Sequence, residues 1–407
     1  MKYRGKLTFL TTIVLTMIIG FSVLYEPEPR VVLYREPQYS ISTPWLTYRV
    51  DTTHSGVAPL DCRVDEGLVL EWRTRRLNRA EYSASKSSPA VDHDNLYLGL
   101  DTGALVAVNR LTGRIIWSHY TRFSKNGIHG SPTVDSERGQ VYIGAYDGWL
   151  YAVDRLSGDL VWESNLGDFI GSSPTLFNDT LYIGVEMRGP DGYIVGVDAE
   201  SGREVFRSES LGNHPHSTPT VDPYSGCVFI GENDGYLHCY WLLNQSERWR
   251  FKTGGAIKST VAVNGGVVYV TSWSGSLNAV NISSGISIWT HIGGYRSMSS
   301  PTITPDGSMI YYGDHGGNFY AVNSSTGERI WIYQTGERIM SSPTLVNCTG
   351  TAIIGSHDGY VYLLDSATGN IKQKLGLNSG LTSVPVTVDD HLYVFDHLGY
   401  LYSFIRD

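Results

Sequence analysis

The sequence predicts an all-β fold, an eight-bladed β-propeller carried behind an N-terminal transmembrane helix. The first observation is repetition. The stretch "YIGAYDGWLYAVDRLSGDLVW" at 142–162 returns in blurred form at intervals of about 40–45 residues, a period that belongs to stacked β-units. The second is count: Ser-Pro-x-Val-like openings fall at Pro89, Pro132, Pro174, Pro219, Val261, Pro301, Pro343 and Pro385. The third is an incomplete pair of ends. Val69-Leu70-Glu71-Trp72 reads as an outer strand with no unit before it, while the last unit stops at Asp407 without one, so the two fragments should complete one blade and close the ring.

Residues 1–24 form a short basic tip and an uncharged apolar run over 7–24. About 18 residues is near the minimum that spans a bilayer. Lys2, Arg4 and Lys6 keep the N-terminal side cytosolic, which places the rest outside the cytosol as a signal-anchored chain; a cleaved signal with a secreted product is the alternative. Residues 25–44, with Pro27, Pro29, Pro37 and Pro44, read as a stalk, and 45–407 as the propeller.

Each unit holds period-2 apolar runs separated by turn residues, giving four antiparallel strands, A to D from the axis outward. Gly148, Gly192, Gly235 and Gly359 follow Asp in the B–C turns, where a positive φ suits glycine. In the C–D turns Asn109, Asp154, Asp198, Asn281, Asn323 and Asp365 each precede a glycine by four residues. The units close on Trp72, Trp117, Trp162, Phe206, Trp249, Trp289 and Trp331, aromatic area suited to packing between blades.

The unit Asp-Gly-x-Leu-Tyr-Ala-Val-Asp, then Thr-Gly and Trp, resembles the repeat of the pyrroloquinoline-quinone (PQQ)-type propellers. "PWLTYRVDTTHSGV" at 44–57 resembles the segment that leads into them. The resemblance implies the fold and two kinds of function: PQQ- and Ca²⁺-dependent dehydrogenases, or cofactor-free scaffolds of the BamB kind. The dehydrogenases carry a vicinal Cys-Cys pair, whereas Cys62, Cys227, Cys239 and Cys348 are all separated, and the aspartates available as a base have turn roles. BamB-like lipoproteins carry a Cys after the signal, and none stands near residue 22.

No Gly-x-Ser-x-Gly, His-Glu-x-x-His, P-loop or Cys-x-x-Cys motif occurs. The expected function is therefore binding, without catalytic residues, cofactor or metal; a PQQ-dependent dehydrogenase using PQQ and Ca²⁺ is the alternative. A net charge of −9 argues against a nucleic-acid partner. The expected partner is a protein or glycan on the face of the D–A and B–C loops, where Arg75, Arg76, Arg122, Lys125, Arg188, Lys258, Arg296 and Arg338 gather. His214-Pro215-His216 is the one dense histidine pair, without a carboxylate beside it in sequence; His119 and His129 should reach the same face. Glycosylation sequons at Asn178, Asn244, Asn281, Asn323 and Asn347 all fall in A–B or C–D turns, on the opposite face, with Asn178, Asn281 and Asn323 the best acceptors. Cys227 and Cys239 flank the hairpin "CVFIGENDGYLHC" and should lie opposite each other as a disulfide; a Cys62–Cys348 bridge is a second possibility.

Overall fold

Eight four-stranded antiparallel sheets make up the computed structural model. It describes residues 45–407 apart from 60–61, 80–86 and 123–126. The membrane helix expected over 7–24, the stalk expected over 25–44 and Lys125 therefore lie outside the described residues, and among the described residues no helix is long and apolar enough to cross a membrane. Blade 1 runs from Ala90–Val91 through Asn95–Gly99 and Ala104–Asn109 to Ile115–Tyr120, and the later blades repeat this order. Blade 8 is built from both ends: Val386–Val388, His391–Phe395 and Leu401–Arg406 come from the C-terminus, and Leu68–Arg73 supplies the outer strand, with Leu68 opposite Arg406.

Alternation along strands B and C places Val, Ile, Leu and Tyr on both faces of each sheet. Both faces are buried because a neighbouring blade covers each one. The outer contact between blades is a docked tryptophan. The indole N–H donates to a backbone carbonyl of the next blade: Trp117 to Arg155 (3.0 Å), Trp162 to Ala199 (3.0 Å), Trp249 to Ile282 (2.7 Å), Trp289 to Ser324 (2.9 Å) and Trp331 to Ser366 (3.0 Å). The next blade's C–D glycine lies on the ring, so a Cβ on Gly158 would come to 2.6 Å from Trp117 and one on Gly202 to 2.5 Å from Trp162. Both glycines also have positive φ, as the turn requires.

At the junction of blades 3 and 4 both partners change together. Phe206 replaces the tryptophan, and the facing C–D turn carries Gln245 at φ 61 where the others carry glycine. Phenylalanine has no N–H to donate and leaves space for the Cβ.

The count of eight openings against seven closing aromatics has a different cause from the split of blade 8. Trp72 completes that blade, and the missing aromatic belongs to blade 7, where Gln373 stands opposite Leu363 as Trp331 stands opposite Ala321. Gln373 faces the junction of the chain ends. Its amide donates to Leu68 O (2.7 Å) and accepts from Leu68 N (2.9 Å), pinning the closing strand.

Two local expectations are corrected. Gly192 is a strand residue paired with Glu186 and does not have positive φ; Gly189, at φ 105, makes that turn. Gly192 is needed for space, since a Cβ there would lie 2.3 Å from Pro215 Cδ. The hairpin pairing Cys227 with Trp241 and Cys239 with Phe229 centres on Asp234, so the cysteines sit diagonally and not opposite. An offset of two residues keeps both on one face, and they are free thiols with Sγ atoms 3.1 Å apart. The Cys239 thiol donates to Cys227, whose pKa is lowered to about 6 by that bond, with Arg248 Nη1 3.4 Å away. Cys348 is also a free thiol, and it meets the Cys62 carbonyl.

The coupled exception gives a test. Phe206→Trp alone should lower the Tm, because the indole meets the Cβ of Gln245, and adding Gln245→Gly should recover it, with a coupling energy of about 0.5–3 kcal/mol. Additive effects in thermal melts of the four proteins would show that the two positions do not touch energetically.

Candidate functional site

The bore of the propeller is closed on one side by residues 45–58, which run across it. Their carbonyls accept from the innermost strands: Trp45 O from Val91 N (2.7 Å), Leu46 O from Val134 N (2.7 Å), Thr52 O from Val221 N (2.9 Å) and Gly56 O from Leu345 N (2.9 Å). Trp45, Arg49 and His54 are fully buried in this plug. Burial pushes the Arg49 guanidinium down to about 10 against the pull of Tyr48 and Asp51, and Thr302 Oγ1 accepts its N–H.

Above the plug lies a cavity of about 210 Å³ opening on the face of the D–A and B–C loops. Tyr48, Tyr146 and the hydroxyl residues before the opening prolines line it together with the repeat position three residues before each opening proline or its equivalent: His129, Gly171, His216, Lys258, Met298, Met340 and Thr382. A second repeat position borders the mouth, two residues after the glycine that ends strand B or its equivalent. It holds Asp101, Tyr146, Glu186, Asn233, Trp273, His315, His357 and His397. The fold needs only the backbone there. Its N–H donates to the incoming D–A loop, as in Tyr146 to Gly127 O (3.1 Å), Glu186 to Phe169 O (2.9 Å), His315 to Arg296 O (2.9 Å) and His357 to Arg338 O (3.0 Å).

The mouth is polarised. On the side of blades 1 to 4 are Asp101, with His129 Nε2 3.6 Å away, and Glu186, which His214 and His216 approach to 3.5 and 3.0 Å. Glu186 is 3% exposed. On the other side, Arg338 Nε donates to His357 Nδ1 (3.2 Å), and the His357 and His397 rings meet edge to face at 4.4 Å. Burial, then His397, Arg338 and His315, push His357 down to about 3. His315 is likewise lowered by burial and by Arg296 and Arg338.

Farther out, cations lie over aromatic rings, most of them at the start of strand C and one, Trp273, at the second mouth position. Arg122 is 4.3 Å from Trp149, Lys252 3.9 Å from Tyr236, Lys258 and Arg296 5.0 and 5.2 Å from Trp273, and Lys374 3.6 Å from Tyr360. Arg207 over Tyr193 and Arg73 over Tyr400 extend the series to six blades.

The structure divides the cations expected at this face. Lys258 lines the cavity, and Arg296 and Arg338 flank it. Arg122 pairs with Glu163, Arg188 lies 3.5 Å from Asp168, and Arg76 donates to Asn78 O and Leu398 O; Arg75 is exposed. His119 does not reach the mouth: it is a strand D residue whose ring meets Gly158 O of the next blade. All the sequons lie in A–B or C–D turns. Asn178, Asn244 and Asn347 are exposed, while Asn281 and Asn323 are half-buried, their Oδ1 atoms accepting turn N–H groups. Sequence reading missed Tyr146 and the mouth histidines His315, His357 and His397. The signal was the one repeat position whose residue differs in character from blade to blade.

This fold and bore define a PQQ-type eight-bladed propeller. The family described as "Outer membrane protein assembly factor BamB" matches residues 51–189, 146–224 and 190–406, and the chain belongs to it. Among curated protein sequences none matches. Solved structures of similar fold include a europium-containing methanol dehydrogenase (TM-score 0.78, 12% identity, covering 89% of this chain and 98% of that one). BamB from Moraxella catarrhalis aligns with TM-score 0.67 at 20% identity, over 83% of this chain and 97% of that one. Quinohemoprotein alcohol dehydrogenase from Comamonas testosteroni gives 0.72 and 14%, over 89% and 80%.

A buried charge pair beside the mouth makes stability depend on pH. Burial works against a charged His238, but the Glu232 and Glu247 carboxylates, 2.9 and 2.6 Å away, raise its pKa above the ordinary value. A raised folded-state pKa gives stabilisation that is complete below about pH 6.5 and is lost as pH climbs through the raised value. The Tm should therefore fall over that range in the parent protein and less in His238→Gln; parallel pH–Tm curves would refute the charged pair.

Proposed function

We propose that this protein is a non-catalytic binding scaffold, anchored by residues 7–24 with its propeller outside the cytosol. It docks a protein or glycan partner bearing acidic groups on the D–A and B–C face. The observation that carries the reading is the recurring cation-over-aromatic pair on that face. Arg, Trp and Tyr are the residues over-represented at interface hot spots, and a ring of them offers flat apolar area and positive charge together. The Arg296, Arg338 and His357 side of the mouth would receive an anionic group. Sequons on the opposite face would leave this one open if glycans are attached.

The second reading, a quinone-dependent dehydrogenase, is favoured by the fold shared with the two dehydrogenases. The residues do not fit that cofactor. The cysteines are separated in sequence, and of the carboxylates at the mouth Glu186 faces two imidazoles and Asp101 one, where Ca²⁺ calls for a shell of oxygens. The cavity of about 210 Å³ is also below the roughly 300–1,000 Å³ usual for small-molecule sites.

Photo-crosslinking residues at Trp273 or Tyr360 should capture a discrete partner in native membranes, whereas the same probe at Leu156 or Ile286 on the opposite face should not. Arg296→Glu with Arg338→Glu should reduce capture at least about tenfold, a loss on the hot-spot scale. Equal capture from both faces would overturn the reading, and Ca²⁺-dependent dye reduction on adding PQQ would establish the alternative. In sealed vesicles the propeller should be protected from external protease, with 7–24 still attached; a mature N-terminus at Val23 or beyond would mean secretion.

A further inference from the structure

From the convergence of Glu186, His214 and His216 at the cavity mouth, we infer a mononuclear site for a zinc-class divalent transition ion, with three protein ligands and an open position facing the cavity. This inference does not rest on the partner reading above.

Three side chains each bring one ligand atom within 4.8 Å of the others. Glu186 comes from the B–C end of blade 3, and the histidines from the loop leading into blade 4, so the site bridges two blades. The loop is firmly seated. Pro215 fills the space left by Gly192, and His214 O accepts Asn233 N at 3.1 Å.

The hydrogen bonds of His214 settle which nitrogen is available. Its Nε2 faces the carbonyls of Met187 (3.1 Å) and Gly189, which only accept, so Nε2 carries the hydrogen. In the tautomer with that one hydrogen, the Nδ1 lone pair faces Glu186 Oε2, 3.5 Å away. A lone pair facing a buried carboxylate is repulsive unless a cation lies between them, and donation of the distal N–H to a backbone carbonyl is how metal-bound imidazoles are oriented. His216 Nδ1 is 3.0 Å from Glu186 Oε1, yet that oxygen has no hydrogen-bond partner. It is a buried acceptor aimed into the same gap.

The donor set chooses the ion. Two imidazole nitrogens with one carboxylate suit zinc and its neighbours, whereas Ca²⁺ and Mg²⁺ prefer oxygen. Three protein ligands leave a tetrahedral ion one position for water or an incoming ligand. That position lies toward the cavity: His216 lines it, and a Cβ on Gly171 would touch both the Tyr146 hydroxyl (3.0 Å) and Glu186 Oε1 (3.1 Å), so phenol and carboxylate share this corner.

The test uses the full-length protein in detergent, stripped with chelator and titrated with ZnCl₂. One zinc per chain should be retained after gel filtration, and Co²⁺ in its place should give the visible absorption of a four-coordinate ion. Glu186→Gln and His216→Ala should each weaken zinc binding by at least the 10–100-fold that loss of an outer-shell partner causes, and abolish the cobalt spectrum. Cys227→Ser/Cys239→Ser should leave both unchanged, which separates this site from the thiol pair. Zinc should raise the Tm of the parent chain and not of the folded variants. No retained zinc, or zinc retained equally by Glu186→Gln and His216→Ala, would overturn the assignment and leave a histidine proton as the cation facing Glu186.

Discussion

The structure depends on a belt of hydroxyl groups around the bore. In seven of the eight units the residue before the opening proline, or its equivalent, donates its backbone N–H to the hydroxyl at the same position in the next blade; the exception is Ser342 of blade 7, whose counterpart in blade 8 is Val384, a residue without a hydroxyl. The belt runs Ser88 to Ser131, Ser131 to Ser173, Ser173 to Thr218, Thr218 to Thr260, Thr260 to Ser300 and Ser300 to Ser342, at 2.9–3.3 Å. The last link, Val384 N to Ser88 Oγ at 2.8 Å, joins blade 8 to blade 1. Two residues farther along the chain, Thr133, Thr175, Thr302 and Thr344 donate to the next blade's carbonyl at proline. A buried N–H without a partner costs about 1–3 kcal/mol, so a blade displaced from its neighbour loses satisfied polar groups as well as packing. These short bonds fix the diameter of the bore, and hence how closely the cavity-lining residues approach one another.

Closure completes what the belt begins. A linear stack would leave one buried apolar face and one strand edge open at each end. Pairing Leu68–Arg73 with Leu401–Arg406 removes both, and Gln373 ties the closing strand to blade 7 by a two-way amide contact where an indole would have had no intact C–D turn to dock against. The glutamine is a response to the break in the chain.

The fold was legible because its demands recur. Glycine in the C–D turn, Asx four residues before it and tryptophan opposite Ala are each imposed in most blades by the same local geometry, so repetition separates them from noise. Register was less legible. The spacing of Cys227 and Cys239 is compatible with hairpins centred on Asn233 or Asp234, and only the observed pairing selects the second. The candidate site was the least legible part, because Glu186 and the histidine pair are separated by two whole strands and a loop, and proximity across a blade boundary leaves no local pattern.

That contrast has a physical basis. At the position two residues beyond strand B, the propeller uses the amide N–H and asks nothing of the side chain. The residue is therefore free to be Asp101, Tyr146, Glu186, Asn233, Trp273, His315, His357 or His397 without disturbing the blade. The cavity-lining position has similar freedom, because the hydroxyl two residues later carries the contact between blades. A rigid ring thus presents two concentric sets of unconstrained side chains at one mouth, and their differences around the circle produce a carboxylate–imidazole side facing a guanidinium–imidazole side. Any ligand seated there is oriented by that asymmetry, because the eightfold framework beneath it is nearly uniform.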